Sequence, residues 1–170
     1  MITAEYVRTM AHYNRWQNRS LYGAADGLGE EARKEARGAF FGSIHGTLCH
    51  LLWADQMWMS RFAGTPRPKV EGAANSPAMV ESWDELKAQR AEFDEVIIGW
   101  AEKVDPQWLA GDLTWYSGGA KRELTKPKGI LVAHFFNHQT HHRGQVHCLL
   151  TQCGAKPDIT DLAFGPPPTR

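Results

Sequence analysis

The sequence predicts an all-α fold of four helices, and two observations support this prediction. Apolar residues recur at three- and four-residue steps in four long stretches, which is typical of amphipathic helices. Glycine, proline and N-capping serine residues mark the connections between these stretches. The chain has 170 residues, and a domain takes about 150 residues. We therefore expect one domain that spans residues 1–170.

The first two predicted helices are joined by a charged segment and followed by a long connection. The first helix spans about residues 3–26 and ends before Gly27. The second spans about residues 43–62 and begins at Ser43, because serine is a strong N-cap residue. Its apolar residues cover more than one side, which indicates a largely buried helix. Residues 64–77 are rich in glycine and proline and long enough to cross a bundle from end to end.

The third predicted helix spans about residues 82–104, and Ser82 and Glu85 have the spacing of a capping box at its start. The pattern changes over residues 108–127. There, Gly118-Gly119 separates two short runs, which predicts a short hairpin or an irregular segment before the last helix.

The fourth predicted helix spans about residues 128–153 and is followed by Gly154, a typical residue after a helix C-terminus. Beyond it, residues 157–170 contain several prolines. We expect this tail to form an extended, partly ordered strap.

The composition argues against several classes of function. Nineteen Lys and Arg balance nineteen Asp and Glu, whereas a protein that grips nucleic acid needs a basic face. We predict no nucleic-acid partner. No stretch approaches the ~18 apolar residues of a membrane span, and the N-terminus lacks the apolar region of a signal peptide. The three cysteines are an odd number without CxxC spacing, which favours a cytoplasmic protein. We expect all three to be small residues of the helical core.

Histidine is the residue type that points to chemistry. Two imidazoles four residues apart on a helix share a face, about 6 Å apart along the axis, and can bind one divalent metal. His134 with His138, and His138 with His142, both have this spacing, so spacing leaves the choice open. The second helix offers His45 or His50 as a third ligand, and a solvated or pH-sensitive face is the alternative. The fourth helix contains five of the eight histidines: His134, His138, His141, His142 and His147.

Three segments resemble a known family. They are AHYNRWQNRSLY in the first helix, SIHGTLCHLLWADQMWMSRF at 43–62, and HFFNHQTHHRGQVHCLLTQCG at 134–154. On these segments the chain resembles the DinB-like superfamily over essentially its whole length, and NHQTHHRGQ at 137–145 is the most specific part. The resemblance implies a four-helix bundle of up-down-down-up order and a homodimer.

The resemblance also implies a divalent metal held by three histidines. The family motif maps onto His50, His138 and His142, which makes the choice that spacing leaves open. A buried carboxylate at Asp55 would need a partner, for which we expect a histidine or Arg143. Other residues are candidates for supporting the ligands or lining a pocket: His134, His141, Trp53, Asp55, Arg143, Gln145, Tyr13 and Trp16.

Three neutral imidazoles would leave the metal its full charge and an open position, which suits catalysis. Such sites suit zinc, nickel, iron or copper, and we favour zinc or nickel. The resemblance implies a thiol-dependent S-transferase that uses a low-molecular-weight thiol and a small-molecule substrate.

Three alternatives remain. The metal could instead serve the hydrolysis of a small amide or ester. Gln139 follows His138 where a zinc protease has a glutamate base, which disfavours a protease-type hydrolase. The chain could also be a non-catalytic metal-binding stress-response protein, or the histidines could build a dimer face.

Overall fold

The computed structural model describes residues 2–165, and most of them are helical. The third predicted helix ends at Ala101, earlier than expected, because a turn and a short helix follow it. Of the predicted C-terminal strap, residues 166–170 lie outside the described residues. In chain order the elements are α1 (Ala4–Asp26), α2 (Glu30–Lys34), α3 (Ile44–Ala63), a 3₁₀ helix (Ala73–Ala78), α4 (Trp83–Ala101), α5 (Pro106–Ala110), β1 (Asp112–Ser117), β2 (Arg122–Pro127), α6 (Lys128–Gln152) and a second 3₁₀ helix (Leu162–Phe164).

The capping residues predicted from the sequence begin the two central helices. The Ser43 hydroxyl accepts a hydrogen bond from the Gly46 amide at 3.0 Å, at the start of α3. The Ser82 hydroxyl accepts one from the Glu85 amide at 3.4 Å, at the start of α4. Each cap satisfies an amide that has no partner within its helix. The start of α3, which carries His50, is therefore fixed by local sequence.

Each of the four long helices packs against two others. α1 contacts α4 and α6, and α3 contacts the same two helices. Their buried apolar residues form two clusters. The first apolar cluster includes Val7, Met59, Ile97 and Phe135, and the second includes Leu21, Leu48, Leu86 and Leu150.

A layer of buried polar residues lies between the two apolar clusters. Each long helix contributes to this polar layer at a position between its residues of the first cluster and those of the second. Along the chain, α1 and α6 pass from the first cluster to the second, whereas α3 and α4 pass from the second to the first. The layer consists of Asn14, Asn18, Asp55, Arg90, Asp94, Gln139 and Arg143.

The segment before α6 is the hairpin that the sequence predicts. β1 and β2 pair antiparallel, with Trp115 opposite Leu124 and the loop at residues 118–121. The Trp115 ring lies 5.8 Å from the ring of Trp58 on α3. This contact attaches the hairpin to the bundle near one end of α3.

The connection between α3 and α4 is not wholly irregular, because its 3₁₀ helix packs against α3. This short helix carries Ser76, which is fully buried. Within residues 2–165, no helix is both long and apolar enough to cross a membrane.

Candidate metal centre

The structure brings three histidines together between α3 and α6. His50 lies on α3, and His138 and His142 lie one turn apart on α6. One ring nitrogen from each falls within 4.8 Å of the others. His50 Nε2 and His138 Nε2 are 3.2 Å apart, and the ring centroids of His138 and His142 are 4.4 Å apart. We call this group the histidine cluster.

The spacing of the histidine cluster fits a shared metal ion. Two histidine nitrogens, each ~2.1 Å from a tetrahedral zinc ion, lie ~3.4 Å apart. The observed separation of 3.2 Å between His50 Nε2 and His138 Nε2 is close to that value. The donor set consists of imidazoles, which suit zinc, nickel, copper and iron better than magnesium or calcium.

A serine fixes the tautomer of His50. The Ser76 hydroxyl donates to the Ala73 carbonyl at 2.6 Å, so its proton is already engaged. It therefore accepts from His50 Nδ1, which lies 2.8 Å away. With its proton on Nδ1, a neutral His50 presents the bare lone pair of Nε2 to the cluster. This hydrogen bond also holds the orientation of the ring.

A glutamine acts on His142 in the same way. The Oε1 atom of Gln145 lies 2.7 Å from His142 Nδ1 and accepts its proton. The Nε2 atom of His142 is then free to bind a ligand. Since the two residues are three apart on α6, one helical turn supplies both the ligand and its support.

The cluster is held in its neutral form. Burial lowers the pKa of His50 to about 3, and the neighbouring rings of His138 and His142 lower it further. Burial also lowers the pKa of His138 to about 3, with smaller contributions from His142 and other histidines. The pKa of His142 is lowered for the same main reason. Metal binding requires neutral imidazole, so these residues meet that requirement well below neutral pH.

Aromatic rings cover the α3 side of the cluster. Phe41 stacks on His50 with ring centroids 3.6 Å apart, and its ring lies 5.3 Å from that of His142. Trp53 also stacks on His50, with ring centroids 5.8 Å apart, and its indole N–H donates to the Val70 carbonyl. These rings limit the access of water to His50.

Comparison with a family model gives independent evidence on the family of the chain. The model of the DinB family matches residues 1–168. The chain belongs to the DinB family. No curated protein matches the sequence. The resemblance inferred from the sequence is thus confirmed over nearly the whole chain.

The other histidines of this DinB-family chain have different surroundings. His134 and His141 are exposed and adjoin the cluster, with His134 5.8 Å from His138 and His141 4.8 Å from His142 between ring centroids. His45 is buried, but its Nε2 atom donates to the Val80 carbonyl at 2.7 Å. His45 is therefore engaged elsewhere.

Asp55 and Arg143 belong to the polar layer. They are not paired with each other, contrary to the expectation from the sequence. Asp55 accepts from Arg90 Nη1 at 2.8 Å and from Gln139 Nε2 at 3.0 Å. Arg143 instead donates to Asn14 and to the Thr140 hydroxyl. The sequence does not indicate the pairing of Asp55 with Arg90, because the two residues lie on different helices, α3 and α4. Burial raises the pKa of Asp55, while Arg90 and Gln139 oppose that rise.

Tyr13 and Trp16 contact each other and other parts of the chain. Their rings lie 5.7 Å apart, the Tyr13 hydroxyl donates to the Thr160 carbonyl, and Arg143 lies over the Tyr13 ring. Within residues 2–165, neither has an aromatic contact or hydrogen bond with the histidine cluster. The hydrogen bond of Tyr13 links α1 to the C-terminal segment.

The cysteines divide between core and surface. Cys49 is buried, as expected for a small core residue, and burial raises the pKa of its thiol to about 11. Cys148 is exposed, so the core prediction is wrong for this residue.

Sequence reasoning missed Ser76 and Phe41. Both lie in connections, where hydrophobic periodicity gives no information about position. The Ser-Pro pair at residues 76–77 is a turn signal within the long connection, but it does not indicate which helix the turn contacts.

Proposed function

We propose that this protein is a metal-dependent enzyme that joins a low-molecular-weight thiol to a small electrophilic substrate. His50, His138 and His142 would hold a divalent ion, zinc or nickel. The observation that carries the proposal is the convergence of three imidazoles, two of which are fixed with a bare Nε2 atom by Ser76 and Gln145.

The chemistry follows from the donor set. When bound, the ion supplies a positive charge that no ligand neutralises, which favours the ionised form of a nearby thiol. The thiol gives its proton to solvent, its sulfur forms a bond to the electrophilic carbon, and the leaving group departs with its electron pair. The chain orients the ligands through Ser76 and Gln145, while Phe41 and Trp53 exclude water from one side.

Hydrolysis of a small amide or ester is less well supported. That reaction benefits from a general base near the bound water. The histidine cluster contains no carboxylate among the described residues. Asp55 is paired with Arg90 and Gln139, and Gln139 has no basic group. An ionised thiol needs no such base.

The proposal includes the assembly of the chain. The order in which the long helices pass through the two apolar clusters supports a four-helix bundle of up-down-down-up direction. We further propose a homodimer located in the cytoplasm, which acts on a small molecule and has neither a nucleic-acid nor a membrane partner.

Metal content tests the site. Untagged protein should contain a stoichiometric divalent metal by mass spectrometry, and His138→Ala should reduce it to background because the cluster loses a central ligand. His147→Ala, on the same helix but outside the cluster, is the matched control and should retain the metal. Protein that binds neither zinc nor nickel in the wild-type form would overturn the proposal.

Thiol chemistry tests the reaction. The cobalt-substituted protein should develop a sulfur-to-metal absorption band with small thiols, and chlorodinitrobenzene should be consumed faster with wild-type protein than with His138→Ala. A metal-loaded protein that neither binds thiols nor transfers them to any electrophile would be a metal-binding protein without this activity.

A further inference from the structure

A line of rings leads from the histidine cluster towards the β-hairpin. His134 follows His138 on α6, with ring centroids 5.8 Å apart. The ring of Trp58 on α3 lies 5.3 Å from His134, and Trp115 of β1 lies 5.8 Å from Trp58. All three rings beyond the cluster retain some exposure to solvent. They form a path of partly exposed rings along α3 and α6.

Arg61 stands at the end of this path. Its guanidinium carbon lies 4.6 Å from the centre of the Trp58 ring and 5.7 Å from that of Trp115. Arg61 is partly buried, and both burial and the nearby Arg67 lower the pKa of its guanidinium. No carboxylate within residues 2–165 lies at ion-pair distance from it.

Several arginines of the chain are engaged within it, and Arg143 donates to Asn14 and to the Thr140 hydroxyl. Arg90 is paired with Asp55 and Asp94, and Arg15 is paired with Glu95 at 2.9 Å. A planar guanidinium stacked on tryptophan keeps its edge available for a bidentate bond to a carboxylate. Arg67 adds a second positive charge, and neither arginine forms an ion pair within residues 2–165. Two such neighbouring charges make the region receptive to an anion.

Helix geometry relates Arg61 to the metal centre. Arg61 follows His50 by eleven residues on α3. On an α-helix this separation places the two residues on nearly the same face, ~20° apart, and ~16 Å apart along the axis. The side chain of arginine is long and flexible, so the distance that a ligand must span is shorter than this axial separation.

We propose that Arg61, framed by Trp58 and Trp115, binds the anionic end of the thiol used by this protein. The thiol sulfur would lie at the histidine cluster, and a carboxylate on a chain of several bonds would reach the guanidinium. This inference rests on the proposed function and adds a substrate class, an elongated anionic thiol. Arg61 acts on specificity by binding the substrate far from the reacting sulfur.

A series of ω-mercaptocarboxylic acids tests whether Arg61 binds the carboxylate of the thiol. Mercaptoacetate, mercaptohexanoate and mercaptoundecanoate, each with its methyl ester, are titrated into the cobalt-substituted protein, and the sulfur-to-metal absorption band reports binding. The longer acids should bind about tenfold more tightly than their esters, because the acids alone can form a charge-assisted hydrogen bond to the guanidinium. Mercaptoacetate, which is too short to reach Arg61, should show no such preference.

Variants assign the preference to Arg61. Arg61→Gln should remove the acid-over-ester preference, and Arg61→Lys should retain part of it, because lysine keeps the charge but not the planar fork. Arg19→Gln is the control, since Arg19 is exposed on α1 and pairs with Glu95. Near-ultraviolet circular dichroism and cobalt content verify that each variant keeps its hairpin packing and its metal.

The outcomes separate the two proposals. Equal binding of long acids and esters by the wild-type protein would overturn the role of Arg61 while leaving thiol binding intact. A preference that survives in a well-folded Arg61→Gln variant would also overturn it. The absence of any sulfur-to-metal band, with acids and esters alike, would contradict the proposed function itself.

Discussion

The polar layer and the histidine cluster are neighbouring groups of buried polar residues with opposite organisation. In the layer, opposite charges meet: Arg90 contacts both Asp55 and Asp94. In the cluster, like groups meet, and nitrogen faces nitrogen at 3.2 Å. Gln139 belongs to the layer and its neighbour His138 to the cluster, so consecutive residues of α6 serve the two groups.

The difference shows that buried polar residues can either stabilise the fold or prepare a binding site. In the polar layer, the charges of Asp55, Arg90 and Asp94 meet one another, and removing one partner would leave a buried charge alone. The histidine cluster leaves acceptors directed at a common point, which is favourable only when a cation occupies it. The layer is therefore expected to govern folding, and the cluster to govern ligand binding.

The largest loss of stability should come from removing a charged residue of the polar layer. Asp55→Ala removes a carboxylate from fully buried Arg90, and we expect a loss of about 3–5 kcal/mol in the free energy of unfolding. Urea denaturation measures this loss. Glu95→Ala breaks a largely exposed ion pair with Arg15, between two of the four helices that form the layer, and should cost about 1 kcal/mol or less. A similar cost for both variants would contradict the contrast drawn between the layer and ordinary charge pairs.

The next effect, smaller per pH unit, should follow from acidification of metal-free protein. The pKa values of His50 and His138 fall from an ordinary 6.5 to about 3 in the folded chain. As pH falls below 6.5, the unfolded chain takes up these protons and the folded chain does not, so stability decreases until about pH 3. Each histidine contributes at most about 1.4 kcal/mol per pH unit.

Urea midpoints of the metal-free protein at several pH values measure this decrease. His138→Gln should reduce the slope, because one of the two depressed groups is removed, whereas His147→Ala should leave it unchanged. If stability did not vary between about pH 6 and pH 4, the histidines would not be buried in neutral form.

The smallest effect should come from the residues that orient the ligands. Ser76→Ala and Gln145→Ala remove the acceptors for His50 and His142, and each should weaken metal affinity by about tenfold or more. Competition with a chelator of known affinity measures the change. Ser60→Ala is the control, because among the described residues the Ser60 hydroxyl bonds within its own helix, to the Met57 carbonyl. Unchanged affinity in the first two variants would show that the ring orientations are set by packing alone.

Local sequence was sufficient for much of the fold. Ser43 and Ser82 begin helices where capping chemistry places them, and the Gly118-Gly119 pair lies in the loop between β1 and β2. These features depend on residues a few positions apart, so the sequence carries their physical cause. The spacing of His138 and His142 on one helix face is of the same kind.

The remaining features depend on packing between distant segments. Spacing alone did not select His50 over His45, and the family resemblance made that choice. The pairing of Asp55 with Arg90 joins residues of two helices, and Ser76 reaches His50 from a connection. Helix periodicity gives which face a residue occupies, but not the rotation and register at which two helices meet.

His50 and His138 are separated by 88 residues along the chain. Their nitrogens converge only after α3, the 3₁₀ helix and α6 have docked, so the unfolded chain lacks this site. An ion that binds the native chain alone shifts the folding equilibrium towards it by mass action. We therefore expect the supply of metal in the cell to set the lifetime of this protein against proteases, with the metal-free chain degraded first.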